Sequence, residues 1–232
     1  QKAKEKGVGM SVHAPYYISL ASLEEEKRNN SIRYIYESAR AVNAMGGDRI
    51  VVHPGGCAKM SRQEACALAC ETLKVEALNS EGLSHIRICP ETMGKVNQLG
   101  TLEEVLEMCL VDERMLPCID FGHLNARTQG GLKEKKEFET VFQSIQNRLG
   151  SSRLREFHAH FSKIEYSAGG EKRHLTFEDT LFGPEFEPVA ELMVQYDCSP
   201  HIICESAGTQ AEDAAFMKQT YLAAAQSAGE EG

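Results

Sequence analysis

A repeating alternation of short apolar runs with longer amphipathic stretches constrains this chain more than any other feature. Val8–Val12 (VGMSV), Arg49–Val52 (RIVV), Ile86–Cys89 (IRIC), Pro117–Ile119, Leu154–His160 (LREFHAH) and Pro200–Cys204 (PHIIC) read as strands. Helical periodicity marks Leu23–Met45, Arg62–Glu76, Thr101–Leu110, Lys133–Asn147 and Phe186–Gln195 between them. The strand runs are continuously apolar rather than alternating, as expected for a parallel sheet covered by helices. A chain of 232 residues suits one α/β barrel, so a single domain over residues 1–232 is expected.

Six strands are two short of a (β/α)8 barrel. The chain also starts at Gln1 in a helix-like QKAKEK stretch. The expectation is therefore a TIM barrel that lacks its first one or two βα units in this chain.

Each apolar run gives way to a residue of a different kind. VGMSV is followed by His13, RIVV by His53, IRIC by Pro90 and Glu91, PCI by Asp120, and HIIC by Glu205; LREFHAH ends in its own histidines. In parallel α/β barrels the carboxyl ends of all strands share one face, so residues far apart in sequence meet there. Imidazole nitrogens and carboxylate oxygens are zinc donors, and catalytic zinc keeps a position open for water. His13, His53, Glu91, Asp120, His123, His158, His174 and Glu205 are more ligands than one ion needs. A pair of ions can clamp a phosphate and activate water. Asp120 and His123 share the segment DFGH, read as a loop in which Gly122 turns the backbone. Taken singly, Asp120 could equally cap a helix, and His160 could serve as a ligand or support one, because strand alternation points it the same way as His158. His85 and His201 are read as surface or packing residues.

The formal charge of −9 argues against a general nucleic-acid coat, although bound cations would alter that balance locally. Of eight cysteines, Cys89, Cys118 and Cys204 lie in apolar runs and read as small buried hydrophobes. Cys66 and Cys70 have no second pair at zinc-site spacing. A reduced, cytoplasmic setting is expected, and no run approaches the roughly 20 apolar residues of a membrane span.

The motifs SVHAPYYISL, VVHPG, ICPET, CIDFGHLNA, FHAHFSK, EKRH and IICES fall in the order found in the endonuclease IV family of apurinic/apyrimidinic endonucleases. The resemblance runs from about Gly7 to the last helix. It implies a TIM barrel with a trinuclear zinc site that cleaves DNA 5′ to an abasic site. By that resemblance His13 and His53 with Glu91 hold one zinc. Glu91 bridges to a second, held also by Asp120, His158 and Glu205; His123 and His174 hold a third. Tyr16, in HAPY, matches a tyrosine near the abasic nucleotide in the family. Arg173 is expected to bind substrate, and Glu91 or Glu205 to orient the attacking water. Two or three zinc ions are expected, with manganese as the alternative metal.

One departure stands out. The family supplies a third-site Asp two residues before the second histidine, and this chain has Lys172-Arg173-His174. A lysine ammonium has no lone pair to donate, and Glu171 is out of register by one. Lys172 is therefore expected to act catalytically, its charge standing in for the third ion beside the leaving oxygen. The rival reading is a single-metal sugar isomerase or epimerase of the xylose-isomerase-like type. For that chemistry the quartet Glu91, Asp120, His158 and Glu205 suffices, and the extra histidines His13, His53, His123 and His174 have no use.

Overall fold

The structure, a computed structural model, describes residues 2–73, 79 and 82–230. Its contacts divide the chain into two compact units, Gln1–Thr92 with Asn97–Cys118, and Met93–Val96 with Ile119–Gly232.

In the first unit the order is α1 (Lys2–Glu5), β1 (Ser11–His13), α2 (Glu25–Met45), β2 (Arg49–Val52), α3 (Arg62–Thr72), β3 (Arg87–Pro90) and α4 (Leu102–Cys109). The strands form a parallel sheet in the order β1-β2-β3, with Val12 opposite Ile50 and Ile50 opposite Ile88. The central strand β2 is buried along its whole length, which explains its unbroken apolar run. Helix α2 buries Ile35, Ala39 and Val42 at helical spacing. It ends at Gly46, whose φ of 79° and amide bonds to Asn43 and Val42 carbonyls make a glycine cap. Helices α3 and α4 start with matching capping boxes, Ser61 with Glu64 and Thr101 with Glu104. The Arg62 guanidinium reaches across to Glu104 through Nε at 2.8 Å and Nη2 at 2.7 Å, tying the two helix starts together.

The second unit contains β4 (Cys118–Asp120, whose first residue closes the first unit), α5 (Phe121–Arg127), α6 (Lys135–Leu149), α7 (Ser151–Arg155), β5 (His158–Phe161), β6 (Ile164–Ser167), β7 (Gly170–His174), α8 (Glu187–Gln195), β8 (His201–Cys204) and α9 (Gln210–Glu230). The sheet order is β4-β5-β8, with β5 and β8 parallel, while β6 and β7 make a separate antiparallel hairpin. Five phenylalanines, Phe121, Phe138, Phe142, Phe157 and Phe161, form the centre of the core. Their rings meet stacked, tilted or edge-on, 6.4 Å apart for Phe121 and Phe142, 6.1 Å for Phe121 and Phe161 and 5.7 Å for Phe142 and Phe157.

All six expected strands are present, β2 with the expected bounds and the other five with shifted ends. β1 starts three residues late. β5 starts at His158 because Ser151–Arg155 is helical, so Leu154 packs from a helix instead. The helix expected over Arg62–Glu76 ends at Thr72, and residues 74–76 lie outside the described residues. The reading of the strands missed α5 and the β6–β7 hairpin. No described helix is long and apolar enough to cross a membrane. All eight cysteines are free; Cys89 and Cys118 are buried, and Cys204 is half-buried.

Candidate metal centre

In the first unit His13 ends β1, His53 follows β2 and Glu91 follows β3. The parallel register sets His13 level with Val51, and Val51 level with Cys89, so these residues emerge at one edge of the sheet. Nε2 of His13 and Nε2 of His53 lie 3.2 Å and 3.0 Å from the same Glu91 oxygen, Oε2. The two rings meet edge-on at 4.6 Å, and Glu91 is fully buried. Nδ1 of His13 is 2.7 Å from the Ala14 carbonyl, which can only accept, so Nδ1 carries the hydrogen and Nε2 the lone pair. A lone pair facing a carboxylate oxygen at 3.2 Å needs a positive charge between them, either a proton or a cation. Imidazole and carboxylate are the donor types zinc prefers, so this set fits such an ion.

A second set stands at the ends of β4, β5 and β8. Asp120 is fully buried and divides its work between its two oxygens. Oδ1 accepts the His123 amide at 2.7 Å and caps α5, while Oδ2 lies 3.2 Å from Nδ1 of His123 and 4.0 Å from Nδ1 of His160. The helix-capping reading of Asp120 and the ligand reading therefore hold different atoms of one carboxylate. Nδ1 of His160 is also 3.2 Å from Oε1 of Glu205. His158 is the expected ligand on β5, and the structure sets its neighbour His160 beside Asp120 and Glu205 instead. His158 pairs with His201 and His160 with Ile203, so His160 is the one nearer the carboxyl end of β8, where Glu205 stands. The His158 ring instead lies 5.3 Å from each of the His160 and His201 rings.

The third set corrects a second expectation. On the hairpin, Ile164 pairs with His174, Glu165 with Arg173 and Tyr166 with Glu171, leaving Lys172 as an extra residue. This β-bulge shifts the register by one. Ile164 and Tyr166 lie on one face of β6, so their partners His174 and Glu171 share a face as well. Glu171 Oε2 comes to 3.4 Å from Nε2 of His123, whose ring is 5.6 Å from that of His174. Glu171 thus supplies the carboxylate that spacing alone denied. Lys172 and Arg173 turn the other way, both onto Glu165, with Arg173 Nε at 2.6 Å. Hydrogen bonds from Lys172 and Arg173, helped by their charges, hold the Glu165 carboxyl below its ordinary pKa. The Gly169-Gly170 pair between two short runs was the sequence signal for this hairpin.

Two glycines let these pieces approach. A side chain at Gly94 would meet Glu171 Cβ at 2.5 Å and His123 Cδ2 at 3.0 Å. At Gly122 it would meet the Ser162 carbonyl at 2.6 Å. Gly122 is therefore needed for close packing of α5 on the strand end; DFGH is the start of a helix and not a loop. Tyr16 projects from the segment after His13 with 80% of its surface exposed, its ring 5.6 Å from that of Tyr17. His85 is a surface residue bonded to Asn43, and His201 packs on His158.

Residues 1–220 match the family model for the xylose isomerase-like TIM barrel. Among relatives, an uncharacterized protein of Methanocaldococcus jannaschii, MJ0133, is 36% identical over 225 residues, covering 94% of this chain and 80% of its own. A probable endonuclease 4 of Acholeplasma laidlawii is 28% identical over 177 residues, 73% of this chain. The match spans 59% of that endonuclease's length. Among solved structures, a D-tagatose 3-epimerase-like protein superposes with a TM-score of 0.72 at 21% identity, over 99% of this chain and 82% of its own. At that identity the likeness speaks for the fold. The family match over residues 1–220 gives the assignment: this chain belongs to the xylose isomerase-like TIM barrel family.

Proposed function

We propose that the protein is a metal-dependent phosphodiester hydrolase that binds two or three zinc ions, with manganese as the alternative, and cleaves DNA at abasic sites. The observation that carries this reading is the presence of two histidine-rich sets, His13–His53–Glu91 and His123–Glu171–His174, in addition to the Asp120–His160–Glu205 set. A probable endonuclease 4 among the relatives supports the same substrate class. Eight free thiols suit a reducing cytoplasm.

Bound zinc would supply Lewis-acid polarisation of a phosphoryl oxygen and a water of lowered pKa. The protein's own residues do the rest. Glu91 or Glu205 would orient the water. His13, through its bond to the Ala14 carbonyl, presents a fixed tautomer. Tyr16 offers an exposed ring for the nucleotide beside the lesion. Arg173 leans on Glu165 through Nε, and its exposed guanidinium end reaches for the phosphate backbone. Lys172, paired with Glu165, stays out of the reaction.

The second reading is a sugar epimerase, favoured by the epimerase-like structural neighbour. One ion and one Glu, Asp, His, Glu quartet would serve it, leaving His13, His53, His123 and His174 idle. Elemental analysis combined with a nicking assay on an abasic duplex separates the two. Two or three zincs with cleavage specific to the abasic duplex supports the hydrolase. One ion per chain with no cleavage overturns it.

A further inference from the structure

The histidines of the first and third sets differ in what holds each imidazole from behind. His13 has a backbone carbonyl at Nδ1, and His123 has the Asp120 carboxylate at 3.2 Å. His174, the last residue of β7, is held by a hydroxyl. Its Nδ1 is 2.8 Å from the Oγ of Ser162, a fully buried side chain just past the end of β5. Its Nε2 faces the opposite way, 3.9 Å from Oε2 of Glu205.

We infer that Ser162 is a positioning residue for the His123–Glu171–His174 metal set, accepting Nδ1–H of His174 so that Nε2 carries the lone pair toward the ion. The inference rests on the metal reading proposed above for these residues. An imidazole has two tautomers, and only one leaves Nε2 able to bind a cation. The tautomer is chosen by what the other nitrogen bonds to, and such outer partners commonly matter about 10- to 100-fold in metal affinity. Ser162 is well placed for this. Its backbone carbonyl lies against Gly122 on α5, where no side chain fits between them. The hydroxyl therefore sits on a fixed support, while the ring it holds lies on a hairpin edge with 29% of its side chain exposed.

The test uses the full chain stripped of metal, titrated with zinc against a chromophoric chelator, and compares wild type with Ser162→Ala and Ser162→Cys. Cysteine is somewhat larger and replaces the oxygen by a weak sulfur acceptor. Cobalt(II) absorption gives an independent view of ligand geometry. The expected result is an affinity about 10- to 100-fold lower for one ion only, in both variants. Cobalt bands of that ion should change, and thermal unfolding of the metal-free protein should stay at the wild-type temperature. Unchanged affinity for every ion in both variants overturns the inference and leaves the metal reading intact. A uniform loss at all ions with a lower metal-free melting temperature also overturns it, since Ser162 would then serve the fold alone. If wild type takes up no zinc, the metal reading itself fails.

Discussion

Replacing Gly94 with alanine should separate the fold of this protein from its third ligand set. Gly94 is outside the positive-φ glycines, so an alanine backbone is tolerated there and only the new methyl group matters. That methyl would stand 2.5 Å from Glu171 Cβ, 2.8 Å from its Oε2 and 3.0 Å from His123 Cδ2. Carbon atoms rest at about 3.5–4.0 Å, so Glu171 Cβ must retreat by about 1 Å. A Cβ moves only with its backbone, and here both backbones are anchored. Arg127 grips the Gly94 segment through the carbonyls of Met93 at 2.9 Å, Lys95 at 2.8 Å and Val96 at 3.1 Å. The Glu171 amide donates to the Gly94 carbonyl at 3.2 Å. Overpacking of this kind costs about 1–3 kcal/mol, while ligand distances tolerate only about 0.2 Å. The variant should therefore fold, with a urea midpoint lowered by that cost, and hold one zinc fewer than wild type by elemental analysis after dialysis. A Gly94→Ala protein with the full zinc complement and wild-type affinity would refute the close-approach argument.

Three further outcomes follow from the geometry. His160→Asn should remove far more bound metal and activity than His158→Asn; equal losses would return the ligand role to His158. Arg62→Met should lower stability by about 1–2 kcal/mol at neutral pH, the worth of charged hydrogen bonds partly screened by solvent. Burial raises the Glu104 carboxyl, but Arg62 and the amides of Thr101 and Gly100 more than offset this and leave it below 4.5. A folded-state pKa below the unfolded one stabilises above the unfolded value, so the difference between wild type and variant should shrink as pH falls below about 4.5. A difference independent of pH in urea titrations would contradict the pairing. Burial pushes the Cys89 thiol up to about 12, so a disulfide reagent at about pH 8 should leave Cys89 unmodified in the native protein while reaching half-buried Cys57, Cys70 or Cys204; rapid native labelling of Cys89, read by mass spectrometry, would count against its burial.

The strands and the donor side chains at their ends were legible because they obey local rules. RIVV is apolar since both of its faces are covered, and His53 follows because the strand ends there. What was illegible depended on long-range geometry. His158 and His160 have the same alternation, and only the pairing of His160 with Ile203 shows which stands beside Glu205. FGHLNAR is too short for periodicity to distinguish from a loop, and its helix is set by the cap from Asp120. The bulge at Lys172 is decided by hydrogen bonding to β6 and by contact between the hairpin and Gly94, neither of which EKRH reveals on its own.

That bulge has a consequence for chain length. A residue that belongs to neither face of a hairpin can be gained or lost without turning its neighbours over. Glu171 and His174 are three positions apart in this chain, and removal of Lys172 would bring the spacing to two with both side chains still on the same face. A ligand pair at spacing two and one at spacing three can thus be the same construction with one residue inserted, so matching ligands by fixed intervals along a chain will overlook sites built this way.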